Sequence, residues 1–197
     1  MISVVCVNHG SKYDPKYVRV LEAQVRRNLK QEHEFFCITD HPKAYICRTI
    51  PIERGLKGWW PKLQFFKGGL FPDRALYLDL DVCITGSLDE LVDVDSPFCI
   101  ISDWHLPCFN SSVMVLDPWT HPEVWEDFRT YHATPGGDQQ WITDKVPDAA
   151  TFPSNWCLSY RSHAQPGVPK GCKVVVFHGD PKPEDMPSSW VADYWHE

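Results

Sequence analysis

The stretch Arg74-Ala75-Leu76-Tyr77-Leu78-Asp79-Leu80-Asp81-Val82-Cys83-Ile84-Thr85 carries two carboxylates, one residue apart, to the end of an apolar run that then resumes. Burying ionised carboxylates is costly unless something pairs with them. The pattern therefore fits a core strand with Asp79 and Asp81 at its carboxyl edge, where open α/β sheets bind their ligands. An exposed strand end with two solvated acids is the alternative that these residues leave open.

The surrounding chain is large enough to bury such a strand. At 197 residues, 43% hydrophobic and 13% aromatic, it can form one good core, and a single domain over residues 1–197 is expected. The formal net charge is -7 and no Lys/Arg cluster is longer than Arg26-Arg27. That field disfavours nucleic acid and anionic membrane surfaces as partners. A small phosphorylated ligand would need local cations or a metal to overcome it. Residues 1–10 lack the basic segment and long apolar region of a signal peptide, and no later apolar run approaches a membrane span. A soluble, cytoplasmic protein without a transmembrane segment is expected. The eight cysteines (Cys6, Cys37, Cys47, Cys83, Cys99, Cys108, Cys157, Cys172) form no Cys-x-x-Cys pair. Several lie in strand-like runs, where a thiol behaves as a small apolar side chain, so reduced core cysteines are expected, although an even count also permits a disulfide.

Taken in order, residues 2–8 are a β-branched apolar run that ends in Asn8-His9-Gly10-Ser11, a buried first strand leading into a loop. Asp14-Pro15 predicts a helix over residues 15–30, with Asp14 as cap and Val18, Leu21, Val25 and Leu29 on one face. Residues 34–39 predict the next strand, which gives a parallel, right-handed βαβ opening. A third short strand is expected at 45–50, and a second helix from Pro61 with Leu63, Phe66 and Leu70 on one face. Between them, Arg54-Gly55-Leu56-Lys57-Gly58-Trp59-Trp60-Pro61-Lys62 is a basic, glycine-punctuated loop. Ser87-Leu88-Asp89-Glu90 has capping-box spacing and predicts a short helix with Leu88 and Leu91 inward. Strands are expected at 98–102 and 112–116, and a helix at 120–131 on Val124, Phe128 and Tyr131. A short helix at 138–143 and a strand at 172–177 that returns to the sheet complete the pattern.

The segment from Leu76 to Leu91 resembles the Asp-x-Asp region of GT-A-fold glycosyltransferases, and more narrowly glycosyltransferase family 8, which includes glycogenin and the bacterial lipopolysaccharide galactosyltransferases. The similarity runs collinearly through nearly the whole chain. Residues 4–13 match the family's first strand and nucleotide loop, Lys62-Leu63 its sugar-side lysine, and Phe109-Asn110-Ser111-Ser112-Val113-Met114 its Asn-Ser-Gly-Val segment. Gly137-Asp138-Gln139-Gln140 matches its Asp-Gln helix start, and Phe177-His178-Gly179-Asp180-Pro181-Lys182-Pro183 its closing Gly-x-x-Lys-Pro loop. Two departures stand out. Ser112 occupies a position where the family usually has glycine, and His178 directly precedes Gly179, whereas the family's histidine usually lies three residues before its glycine.

The resemblance implies an α/β, GT-A (Rossmann-like nucleotide-diphospho-sugar transferase) fold with a mixed, mostly parallel central sheet flanked by helices. Residues 1–92 would form the nucleotide-binding half and 93–197 the acceptor-shaping half with the closing loop. It further implies a metal-dependent hexosyltransferase that takes a sugar from a nucleotide-diphosphate sugar, a UDP-sugar by the family's habit, to an unspecified carbohydrate or protein acceptor, with retention of configuration. Two ionised aspartates beside a diphosphate repel it by roughly 4 kcal/mol per charge pair at about 4 Å, for an effective dielectric of about 20. A divalent cation bridging carboxylates and phosphates inverts that sign. The implied ligands are Asp79, Asp81 and His178, with manganese or magnesium as the ion. Lys182 and Gly179 would close on the diphosphate, and Asn8, His9 and Tyr13 would line the nucleotide pocket with Tyr13 stacking on the base. Lys62, Asn110, Asp138 and Gln139 would face the transferred sugar, with Gln139 on its reacting face and Asp138 holding hydroxyls. Trp59, Trp60 and Trp156 have loop settings suited to acceptor contact.

Two other classes share some of these features. A haloacid-dehalogenase-type phosphatase also carries two aspartates one residue apart, the first attacking phosphorus, but on its first strand. A carbohydrate- or nucleotide-binding module without turnover would retain the pocket and lose the chemistry.

Overall fold

The computed structural model describes residues 1–53, 55–130 and 136–197. Strand β1 (Ile2–Val7) is a buried β-branched run, and α1 (Lys16–Asn28) packs Val18, Leu21 and Val25 against it. The Asp14 carboxylate accepts the Lys16 N–H at 2.7 Å. Pro15 is the cap residue, so the helix begins one position later than its sequence suggests. Strand β2 (His33–Thr39) pairs parallel with β1 from Ile2↔His33 to Val7↔Ile38, which completes the expected βαβ unit. Strand β3 (Arg48–Pro51) lies parallel to β2 and starts later than residue 45 because Pro42–Ala44 form a 3-10 turn.

The chain continues through β4 (Ala75–Leu78), β5 (Val82–Ile84), α2 (Asp89–Val92), β6 (Phe98–Ser102) and β7 (Phe109–Leu116). After these come α3 (Glu123–Glu126), α4 (Gly137–Lys145), β8 (Ala150–Thr151), β9 (Cys157–Ser159) and β10 (Val174–Val176). Seven strands form one sheet in the order β3-β2-β1-β4-β7-β6-β8. Only β7 runs against its neighbours; every other pair in this sheet is parallel or related through β7. The carboxyl ends of six strands and the amino end of β7 therefore share one edge. Alternation along β4 sends Leu76 and Leu78 to the face covered by α1, and Ala75 and Tyr77 to the face covered by the 3-10 turn Trp60–Phe66, α3 and α4.

The oddity of the two-aspartate run has a topological cause. Strand β10 was expected to return to the sheet, but it forms a second, three-stranded sheet, antiparallel to β5 and parallel to β9. The apolar run 75–84 thus serves two sheets, and Asp79 to Asp81 is the crossing between them. Other expectations change for local reasons. The helix from Pro61 is a 3-10 turn with all of residues 61–66 buried, and Leu70 lies beyond it. Ser87 Oγ accepts the Asp89 N–H at 3.2 Å, but Glu90 pairs with Lys173 and does not close a capping box. Leu88 and Leu91 are nonetheless fully buried. The helix expected at 120–131 is α3 followed by the 3-10 turn Asp127–Thr130, and Tyr131 lies outside the described residues. All eight cysteines are free thiols, six of them buried.

At the edge opposite the strands' carboxyl ends, the Arg74 guanidinium holds the segment after β7 and the loop before β6. It donates to Asp117 Oδ1 at 2.7 Å, to the Val94 carbonyl at 2.7 Å and to the Ser96 carbonyl at 2.8 Å.

Candidate functional site

Asp79 leaves β4 with its N–H bonded to the Ser112 carbonyl at 2.9 Å, one step past the paired residues. Its carboxylate accepts from the Tyr77 hydroxyl at 2.9 Å and from Lys62 Nζ, which lies 2.9 Å from Oδ1 and 3.1 Å from Oδ2. Lys62, only 8% exposed, also donates to Ser111 Oγ at 2.9 Å and lies 3.3 Å from Asp138 Oδ2. Ser111 in turn donates to Asp138 Oδ2 at 2.6 Å. Burial alone would push the Lys62 ammonium down. Asp138 and Asp79 outweigh that, and the group is held above its ordinary value of 10.5. One ammonium thus serves two carboxylates, which leaves the cluster net negative.

Local backbone features aim these groups. Along β7 the ladder with β6 skips from Met114 to Asn110 opposite consecutive residues of β6, so residues 111–113 bow out of it. That bulge turns Ser111 towards Lys62 and Asp138. Asp138 is the second residue of α4, reached through Gly136 and Gly137 in left-handed conformations (φ 97° and 72°). A Cβ on Gly137 would come within 2.9 Å of Trp59 Nε1, so only glycine lets this helix start beneath the indole.

The second aspartate is held separately. Asp81 is 8% exposed, and its Oδ2 accepts from the Tyr13 hydroxyl at 2.7 Å and from Lys182 Nζ at 2.5 Å. Burial first, and then the Asp81 charge, push the Tyr13 phenol above its ordinary 10, so it remains a donor. The Lys182 ammonium also lies 5.6 Å from the Tyr13 ring centre, with Lys12 at 4.8 Å. The Lys182 backbone N–H is fixed by Asp185 Oδ2 at 2.7 Å.

His178 follows β10. Its Nε2 lies 2.7 Å from Ser159 Oγ, and its ring stacks on Trp104 at 5.7 Å between centres. Burial, and then the neighbouring Arg161, push this imidazole below its ordinary 6.5, towards the neutral form. Among the described residues no group of three His, Cys, Asp or Glu side chains is gathered closely enough to hold a metal ion.

Asn8 is buried, with its N–H on the Ile38 carbonyl at 3.0 Å and its side-chain amide donating to the Tyr13 carbonyl at 3.4 Å. His9 Nε2 lies 2.6 Å from the Gly58 carbonyl, tying the end of β1 to the tryptophan loop. Asn110 donates to Asp103 Oδ2 at 3.3 Å, and its Oδ1 accepts the Ser112 N–H at 3.1 Å. Gln139 is half-buried, one residue past Asp138. Gly179 has φ 71°, and an added Cβ would meet the Arg161 guanidinium at 3.0 Å. Trp60 stacks on Phe128 at 4.8 Å and Trp156 lies under the Lys173 ammonium, whereas Trp59 stays 59% exposed. Arg54 lies outside the described residues.

Three participants escaped the sequence reading. Tyr77 carried a signal, since it lies two residues before Asp79 on the same side of the strand. Ser111 lay inside the segment matched to Asn-Ser-Gly-Val but was given no role, and Asp103 carried no signal, because a bulge and a loop decide where they point. The phosphatase alternative calls for a free nucleophilic aspartate on a first strand. Asp79 follows the fourth, and both its oxygens are engaged.

No family model and no curated protein sequence matches this chain. Solved structures do. Galactosyltransferase LgtC, in complex with donor and acceptor sugar analogs, is similar at TM-score 0.65 and 13% identity, over 97% of this chain and 93% of that one. Glycosyltransferase GlyE of Streptococcus pneumoniae TIGR4 is similar at TM-score 0.72 and 14% identity, over 99% of this chain and 60% of that one. The apo structure of WbbM, a bifunctional glycosyltransferase, is similar at TM-score 0.67 and 13% identity, over 92% of this chain and 46% of that one. At these identities the likeness defines the fold: an α/β, Rossmann-like GT-A fold with a mixed, largely parallel central sheet flanked by helices.

Proposed function

We propose that this chain is a metal-dependent glycosyltransferase of the family 8 kind, moving a sugar from a nucleotide-diphosphate sugar, a UDP-sugar by preference, to an acceptor hydroxyl with retention. The observation that carries this reading is the pairing at Asp81. A nearly buried carboxylate at the edge shared by the strands' carboxyl ends is matched, among the described residues, by a phenol and by the Lys182 ammonium from the closing loop. An incoming diphosphate can draw that ammonium away, which frees the carboxylate for a different cation.

The donor set suits such an ion. Carboxylate oxygens favour manganese or magnesium, and Asp81 Oδ2 already takes a cationic partner. Asp79 and Asp81 are the proposed protein ligands together with His178, whose Nε2 contacts Ser159; among the described residues the three are not gathered closely enough to hold an ion, so binding one would require them to be drawn together and Asp79 to give up contacts to Tyr77 or Lys62. When bound, the ion would neutralise the departing nucleoside diphosphate. The chain's own groups do the rest. Lys182 and Gly179 take the diphosphate, while Asn8, His9 and Tyr13 form the nucleotide wall, with Tyr13 using its hydroxyl on Asp81. Lys62, Asn110 and Asp138 orient the sugar hydroxyls, and Gln139 faces the reacting side of the ring.

Calorimetric titration of UDP with and without manganese tests this. In the native protein manganese should strengthen UDP binding, and Asp81→Asn should remove that effect with the fold intact. Undiminished manganese-supported affinity in Asp81→Asn would sink the assignment. Lys182→Ala should weaken UDP about tenfold, the scale of one charge-assisted hydrogen bond, and should strengthen binding of manganese alone. Nucleotide-sugar turnover, read as UDP release, separates an enzyme from a binding module.

A further inference from the structure

Tyr13 reaches Asp81 from the loop between β1 and α1, and the groups that aim its ring come from elsewhere in the chain. The ring meets Tyr17 with centres 4.8 Å apart and planes inclined by 52°. Tyr17, in the first turn of α1 and only 2% exposed, meets Trp195 in turn, edge to face at 5.1 Å. We infer that Tyr17 and Trp195 are positioning residues for the nucleotide pocket and act on it through Tyr13. The inference rests on the glycosyl-transfer reading above for what the pocket binds, and it gives residues 190–197 a part that reading does not assign.

The other contacts of Tyr13 leave its plane undetermined. A hydroxyl bond to Asp81 fixes the tip of the side chain, while the ring can still turn about its long axis, a torsion with a broad minimum. Lys12 and Lys182 lie over the ring at 4.8 and 5.6 Å, and an ammonium is attracted to either face of a phenol. Tyr17 is the neighbour with a preferred angle, because aromatic pairs favour tilted and edge-on arrangements. The plane of Tyr13 is what a base would lie against, so Tyr17 decides how that surface is offered.

Trp195 keeps Tyr17 from yielding. Its N–H bonds the Val191 carbonyl at 2.8 Å, at the end of the turn Trp190–Asp193, and Val191 is fully buried. The flanking carbonyls of Tyr194 and His196 both accept from the Arg27 guanidinium at 2.9 Å, and Lys16 Nζ lies 5.2 Å from the Trp195 ring centre. Helix α1 therefore grips this segment at both ends, through Lys16 and Tyr17 in its first turn and Arg27 in its last. Among the described residues the buried Trp195 indole N–H has no hydrogen-bond partner, so ring contacts orient it. A surface held this way need not be ordered when a ligand arrives, which favours binding.

Calorimetric titration of UDP with manganese, together with NMR of the full chain labelled at tyrosine Cζ, tests the inference. The Tyr13 signal, identified by its loss in Tyr13→Phe, reports the ring without nucleotide. Trp195→Ala should move that signal and weaken UDP fivefold or more; Trp195→Phe, which keeps an aromatic edge without the N–H, should leave the signal in place and UDP affinity within twofold of native. In a Tyr13→Ala background, Trp195→Ala should change UDP affinity less than twofold, because its effect passes through the missing ring. Phe71→Leu, a core change on the other face of the sheet, should lower the thermal midpoint and leave UDP affinity within twofold. Should Trp195→Ala not fold, Trp195→Leu carries the same expectations. The inference is overturned by an unmoved Tyr13 signal or native UDP affinity in Trp195→Ala, by failure of Trp195→Phe to restore both, by additive losses with Tyr13→Ala, or by an equal loss in Phe71→Leu. Failure of the native protein to bind UDP with manganese counts instead against the glycosyltransferase reading, and the nucleotide-free Tyr13 signal then still decides the positioning.

Discussion

Lys62 is the cation on which the buried cluster of Asp79, Ser111 and Asp138 depends, since it is the ammonium between the two carboxylates. Replacing it with alanine should cost about 3–5 kcal/mol in urea unfolding, the scale of a buried pair broken on one side, and Lys62→Ala with Asp138→Asn should recover part of that loss. Asp103 gives a different expectation. Burial would raise its carboxyl, but the His105 and Leu106 N–H groups and the Asn110 amide together lower it below the ordinary 3.8. Between the folded and unfolded values the unfolded chain binds more protons, so this carboxylate contributes stability above 3.8 that is lost as pH falls through the folded value. Stability should therefore fall less steeply below that point in Asp103→Asn than in the native protein; equal slopes would contradict it. At this scale charge was readable in advance. Acids and lysines set in apolar runs, such as Asp79, Asp81 and Lys62, need partners wherever the chain goes. Ring orientation was not readable: Tyr13 is turned by Asp81 and His178 by Ser159 and Trp104, all distant in sequence.

Among the elements, α4 has the most demanding start. Gly137→Ala must hold φ 72° and bring a Cβ against Trp59, which should cost about 1–3 kcal/mol in thermal unfolding. Because the same residue sets Asp138, UDP-sugar affinity should drop more than UDP affinity. Equal losses for both ligands would argue that Asp138 does not reach the sugar. α1 was legible from its apolar spacing, and β2 and β6 from their bounded apolar runs. Residues 61–66 misled because a fully buried stretch carries no amphipathic period, and β9 because three residues are too few to show one.

For the whole molecule, the parallel opening and the place of two aspartates at the end of a core strand followed from sequence order. The division into two sheets did not, because the run 75–84 reads as one strand and only the pairing of β5 with β10 separates it. Eight free thiols, most of them in the core, imply that no cross-link supports this architecture. The thermal midpoint should be the same with and without dithiothreitol, and a lower midpoint under reducing conditions would reveal a disulfide. Arg74, finally, makes the back of the large sheet a mechanical anchor: one guanidinium ties the ends of β4 and β7 to the loop before β6. A support, tag or fused carrier attached near residues 93–97 would be tethered to the stiff side of the protein, leaving the opposite rim facing outward and unobstructed.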